Sequence, residues 1–116
     1  MSKSNEAIWW SLFSAGGVLA ALFVPALVLT TGFLLPTSDP GTAAERFTHL
    51  LDVVSQWPVR VTLFVVIFLS FFHCAHRIRH TLMDLGLRRI QILLMTICYG
   101  GAVAGTVFAA VLLIRL

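Results

Sequence analysis

Residues 60–80 read "RVTLFVVIFLSFFHCAHRIRH". Sixteen uncharged residues, Val61 to His76, lie between Arg60 and Arg77. A helix rises ~1.5 Å per residue, so crossing the ~30 Å apolar core of a bilayer takes roughly 20 residues. The uncharged run alone falls short of that. Arginine, however, lays its aliphatic stem along apolar surface while its guanidinium reaches water. Both bracketing arginines then belong to one longer helix and snorkel outward from its ends. The stretch predicts a membrane-spanning helix over 57–84, and the rest of the chain follows from that reading.

The chain has 116 residues, 59% hydrophobic and 11% charged. A soluble domain carries about 25% charged residues, so this composition belongs to an integral membrane protein. No A-x-A-like cleavage site follows a short apolar run at the N-terminus, and no removable signal peptide is expected. No sizeable soluble domain, repeat or low-complexity tract is visible. Cys74 and Cys98 sit in apolar surroundings without metal-ligand spacing and read as small core hydrophobes. The net charge of +3 is no nucleic-acid signal, because the arginines lie at helix ends, where they orient membrane proteins.

A first span is expected over 8–35, which carries no charge; Trp9 and Trp10 at its start are natural headgroup anchors, and Pro25 lies inside it. "LLPTSDPGTAAE" (34–45) stops it. "TAAERFTHLLDVVSQ" (42–56) has apolar residues at helical spacing and fits a short helix on the membrane surface. A third span is expected over 90–114, entered through "GLRR" and closed by Arg115. Residues 1–116 thus make a single membrane domain, all α, of three transmembrane helices. Gly101 and Gly105, and Ser14, Gly17 and Ala21, form small-residue faces for close helix approach, some to be used within the chain and the remainder suggesting a membrane partner. Three spans put the N-terminus and the second loop on one side, with Lys3, Arg77, Arg79, Arg88 and Arg89; the other side has Arg46, Arg60 and Arg115. The dense basic loop is expected in the cytoplasm, with the N-terminus inside and the C-terminus on the outer, periplasmic face.

On a helix, His73, His76, His80 and Asp84 share one stripe, with Arg77 next to it and Arg79 pointing elsewhere. The first helix runs antiparallel to the second, so Trp10 reaches the same interface. An indole N–H, imidazoles and a guanidinium there can hydrogen-bond a polar headgroup whose tail lies in lipid. A blander reading stands beside this one for each residue singly: interfacial histidine and arginine often only bind lipid phosphates, and tryptophan often only anchors. As a set, ionisable groups inside a span are costly and point to function. Haem is an alternative use of histidine, but bis-histidine ligation takes imidazoles from facing positions. The three histidines share one helix and His49 lies on the other side, so the chain offers at most one axial ligand.

"WWSLFSAGG" (9–17), "PALVL" (25–29), "LLP" (34–36) and "AHRIRHTLMDL" (75–85) resemble the D subunit of fumarate reductase, the smaller of two hydrophobic anchors in bacterial quinol:fumarate reductase. The resemblance covers nearly the whole chain except the loop from Thr37 to Gln56. It implies a multi-pass protein of the inner membrane, serving anaerobic fumarate respiration. The implied partners are a second hydrophobic anchor, an iron–sulfur protein and a flavoprotein. FAD and iron–sulfur clusters would sit in those partners, with no haem, and menaquinol would be oxidised near the cytoplasmic face. The matched quinone-binding residues are Trp10, His76 and Arg77, with His80 close by. An outer quinone site would fall at Ser55 and Gln56, although that pair stands in reversed order. His73 departs from the family pattern and reads as a packed histidine. Two other readings are an anchor of succinate dehydrogenase and a non-enzymatic assembly or transport protein. The chain by itself has no redox centre, phosphate loop or nucleophile–base pair.

A quinol releases two electrons and two protons on oxidation. The electrons need an iron–sulfur centre close by, and the protons need acceptors titrating near neutrality, which is the range of histidine. A neighbouring arginine would favour the anionic quinol.

Overall fold

The computed structural model describes residues 3–37 and 40–116. Three helices are long and apolar enough to cross a membrane, the number the sequence predicts: Asn5–Leu34, Trp57–Asp84 and Leu87–Arg115, the first and third starting three residues earlier than expected. We label the α-helices α1 (Lys3–Leu29), α2 (Pro40–Ser55), α3 (Trp57–Asp84) and α4 (Gln91–Arg115).

α1 carries Pro25 in its interior, which removes the N–H that would have bonded the carbonyl four residues back. One turn later the helix widens into a π-turn, Thr30–Leu34, closed by the Leu35 N–H on the Thr30 carbonyl at 3.1 Å. The hydroxyls of Thr30 and Thr31 donate to the carbonyls of Ala26 and Leu27 at 2.8 and 2.7 Å. Ser11, Thr62, Thr96 and Thr106 do the same within their own helices. A hydroxyl in lipid has no water to bond, so it turns back on the helix backbone.

α3 starts from the extended Gln56, with Pro58 in the first turn where no N–H is missed. It ends at Gly86, which adopts φ of 101°. That left-handed conformation suits glycine, and its N–H caps the Met83 carbonyl at 3.2 Å. A short 3-10 helix, Leu87–Ile90, then leads into α4. The 28 residues of α3 span about 42 Å at ~1.5 Å each, against a ~30 Å apolar core. Centred in a bilayer, about 20 residues would lie in hydrocarbon, leaving Arg60 and His80 near the two edges.

α3 is the middle of the bundle. α1 and α4 each pack along it, and among the described residues they do not pack on each other; α2 also lies against α3. Both packings are antiparallel. Going up α1, Phe13 meets His76 and Gly16 meets Leu69; on α4, Tyr99 meets His76 and Gly105 meets Phe71. The buried positions are small or single, namely Gly16, Val66, Ala75, Leu94, Ala102 and Thr106, and no large side chain is fully buried among the described residues. Most apolar surface therefore faces outward, toward lipid or another membrane chain.

The small-residue faces are used only in part within the chain. On α1 Phe13, Gly16 and Gly17 meet α3, while Ser14 and Ala21 are exposed. Of the expected trio only Gly17 reaches α3. Successive residues turn by about 100°, so a face centred on Ser14 and Ala21 is swung nearly a quarter-turn from the contact. On α4 Gly105 touches the Phe71 ring, whereas Gly101 faces open space.

Gly16 sets the tightest approach. A methyl there would stand 2.7 Å from the Leu69 carbonyl oxygen, a backbone atom that no side-chain rotation can move. Helix propensity favours alanine over glycine by about 1 kcal/mol, but overpacking costs about 1–3 kcal/mol. The overpacking should win. Gly16→Ala should lower the midpoint of thermal unfolding in detergent, whereas Gly100→Ala, with nothing within 4 Å, should leave it unchanged or raise it.

Candidate functional site

The close approach of α1 to α3 is filled by one side chain, His73. Its ring lies against Gly17, where an added Cβ would meet ring atoms at 2.6 to 3.1 Å. The Nδ1–H of His73 donates to the Phe13 carbonyl at 2.9 Å, since a carbonyl can only accept. The Phe13 ring stacks on the His73 ring, with centroids 4.4 Å apart and planes 22° from parallel. The same Phe13 ring meets His76 edgewise at 4.6 Å, and Trp10 packs perpendicular to Phe13 at 6.1 Å. An aromatic and imidazole ladder therefore ties the start of α1 to the last third of α3.

Beside this ladder lies a groove of about 420 Å³. α1 lines it with Trp9, Trp10, Leu12 and Phe13; α3 with Phe68, Leu69, Phe72, His73 and His76; α4 contributes only Tyr99. The walls are apolar except for indole, imidazole and phenol groups. His76 Nδ1 and the Tyr99 hydroxyl are 2.9 Å apart. His80 comes next in line, its ring 4.3 Å from that of His76 and tilted 44° to it, and is exposed. Asp84, one turn further, reaches Arg88 at 3.9 Å in an exposed pair. The stripe thus leads from the groove to the end of the span.

The structure brings Trp10 and His76 to one groove and sets His80 against His76. Arg77 does not line the groove and is exposed. It lies about 100° around the helix from His76, away from the groove wall. Arg79, read from spacing as pointing elsewhere, is half-buried, and its Nε has no hydrogen-bond partner. Ser55 ends α2 and Gln56 precedes α3, at the opposite end of the bundle. A second groove of about 440 Å³ lies at that end, lined by Trp57, Arg60, Val61, Phe64, Ala110, Leu113 and Ile114, and neither Ser55 nor Gln56 lines it.

Sequence reasoning missed Phe13 and Tyr99. Phe13 falls at helical spacing from Trp9 and Trp10 and was open to that reasoning. A lone tyrosine within a span gives no signal of its own, because its partner is set by how α3 and α4 pack.

Compared with known proteins, residues 1–114 match the family model for the D subunit of fumarate reductase. The chain is similar to the fumarate reductase D subunit of Mycobacterium tuberculosis strain H37Rv, 36% identical over 98% of this chain and 90% of the relative. It is also similar to that of Shewanella putrefaciens strain CN-32, 38% identical over 98% of this chain and 93% of the relative.

Proposed function

The chain belongs to the family of fumarate reductase D subunits and is a membrane anchor of that complex, and from this premise we propose that it also forms part of the quinol-oxidising site. As a family member with three spans it is a multi-pass protein of the bacterial inner membrane. Its complex contains other subunits. Those we propose are a second hydrophobic anchor, an iron–sulfur protein that holds the clusters and a flavoprotein that holds the FAD. The fumarate reductase name of the relatives favours this reading over a succinate dehydrogenase anchor.

The observation that carries the proposal is the convergence of Trp10 and His76 on one apolar groove. A menaquinol has a flat aromatic head with two hydroxyls and a long apolar tail. The groove fits such a molecule: aromatic faces for the ring, open apolar surface for the tail, and a few polar atoms to fix orientation. Bound quinol supplies two electrons to the iron–sulfur partner. The chain's own residues do the rest. Trp10 and Phe13 hold the ring, and the indole N–H can donate to a quinol oxygen. His76 accepts a proton from a quinol hydroxyl, and His80 stands between it and water. Arg77 is exposed on the isolated chain, so its proposed part is at a contact with a partner protein or with a headgroup. Neither Ser55 nor Gln56 lines the groove at that end of the bundle, so an outer site there would draw its walls from a partner.

In this reading the N-terminus and the loop between α3 and α4 lie in the cytoplasm, because Arg77, Arg79, Arg88 and Arg89 crowd that end. The head of the quinol then lies beside subunits that work in the cytoplasm.

His76→Gln and Trp10→Leu should each lower menaquinol-dependent fumarate reduction by tenfold or more, in the range of about 10²-fold for loss of a general base. Dye-driven fumarate reduction by the same membranes should be unchanged. Normal quinol turnover in both variants would remove the site. A cysteine at Arg88, whose side chain is 80% exposed, should react with a membrane-impermeant maleimide in inside-out vesicles and not in intact spheroplasts. The reverse pattern would invert the topology.

A further inference from the structure

Tyr99 is the only residue that α4 contributes to the groove, and its hydroxyl is spent on one atom. It lies 2.9 Å from Nδ1 of His76, 23 residues away in sequence and on a different helix. The ring of Tyr99 is held by Phe72 at 6.5 Å. On the other side Phe13 closes against His76, and the tilted ring of His80 packs against it. His76 is thus packed on three sides, with its Nδ1 engaged.

We infer that Tyr99 is a positioning residue for proton transfer: its oxygen accepts from Nδ1–H of His76 and so keeps Nε2 as the basic nitrogen facing the groove. This rests on the quinol reading above. Imidazole carries one proton on either nitrogen, and only the nitrogen without it can accept another. With Nδ1–H bonded to Tyr99, the neutral ring presents its Nε2 lone pair. The quinol O–H bond breaks as an Nε2–H bond forms, and the electrons leave to the iron–sulfur cluster of the partner protein. The ring is then an imidazolium, and the Tyr99 oxygen, still accepting from Nδ1–H, stabilises its charge. The proton moves on through His80 to water. His76, again neutral, takes the second proton in the same way, so two electrons and two protons leave per quinol.

The charged and titratable groups around His76 are His73, Arg79 and His80 on α3 and Tyr99 on α4, while α1 presents the uncharged ring of Phe13. Among these, Tyr99 is the group hydrogen-bonded to the ring. No carboxylate takes that role among the described residues. A phenol can donate to Nδ1 or accept from Nδ1–H; in the proposed role it accepts, because only that tautomer leaves Nε2 able to take a proton, with no negative charge added to the apolar groove.

The test is Tyr99→Phe in the intact, detergent-solubilised complex. Phenylalanine keeps the packing on Phe72 and the groove wall and deletes only the oxygen. Turnover with menaquinol should fall about tenfold, as expected for loss of an orienting partner of a general base. KM for quinol should stay within about twofold, because the wall is preserved. Dye-driven fumarate reduction reports assembly. A double-mutant cycle separates positioning from simple structural support: in a His76→Gln background, Tyr99→Phe should make no further difference. Unchanged kcat in Tyr99→Phe, with His76→Gln strongly impaired, would overturn the inference and leave the quinol site standing. An equal loss in both backgrounds would also overturn it, since Tyr99 would then act independently of His76. Full quinol turnover in His76→Gln alone would overturn the site itself and this inference with it.

Discussion

The architecture depends on how closely α1 can approach α3. In lipid no hydrophobic force draws two apolar helices together, so packing and interhelical hydrogen bonds must do so. Here both act at one place. Gly16 lets the α1 backbone come down on the Leu69 carbonyl, and Gly17 opens the notch that takes the His73 ring. The ring fills the notch and donates to the Phe13 carbonyl. That carbonyl, already the natural acceptor of its own helix, uses its second lone pair. A hydrogen bond between membrane helices is worth roughly 0.6 kcal/mol on average, so the bond fixes register more than it supplies stability. The proposed quinol site depends on that register, because it brings Trp10 and Phe13 opposite His76.

With α3 in the middle and α1 and α4 out of contact with each other, the bundle is an open row and not a closed three-helix core. The groove exists because the row is open: it is the valley over α3 between its two neighbours, walled by aromatic rings from both sides. The same openness leaves large apolar side chains exposed on every span, including Trp9, Trp10 and Leu22 on α1 and Phe108 and Leu112 on α4. Lipid covers such surface readily. Another membrane chain of the complex would cover it too.

The spans were legible because length and charge in a bilayer are strict constraints. The extension of the second span to Trp57 and Asp84 followed from the ability of Arg60 and Arg77 to reach water from inside a helix. The histidine stripe was equally legible, since spacings of three and four put His73, His76 and His80 on one face. What could not be read was rotation. Ser14, Gly17 and Ala21 read as one small face, yet Gly17 meets α3 together with Gly16 while Ser14 and Ala21 are exposed. Arg77 sits beside His76 in sequence yet about 100° away on the helix, so it misses the groove. Tyr99 was invisible because its meaning is a contact across helices. His73, read as a packed histidine, stands in the structure as the wedge of the α1–α3 contact, and it lines the groove as well.

The site stands or falls on where a quinone ring rests, and a photoreactive azido-menaquinone analogue in the membrane-bound complex measures this directly. Irradiation followed by peptide mapping should place label on the segments around Trp9–Phe13 and Phe68–His76, with excess menaquinone protecting both. Label confined to partner proteins, or found in this chain only around Trp57–Phe64 and Ala110–Ile114, would contradict the account.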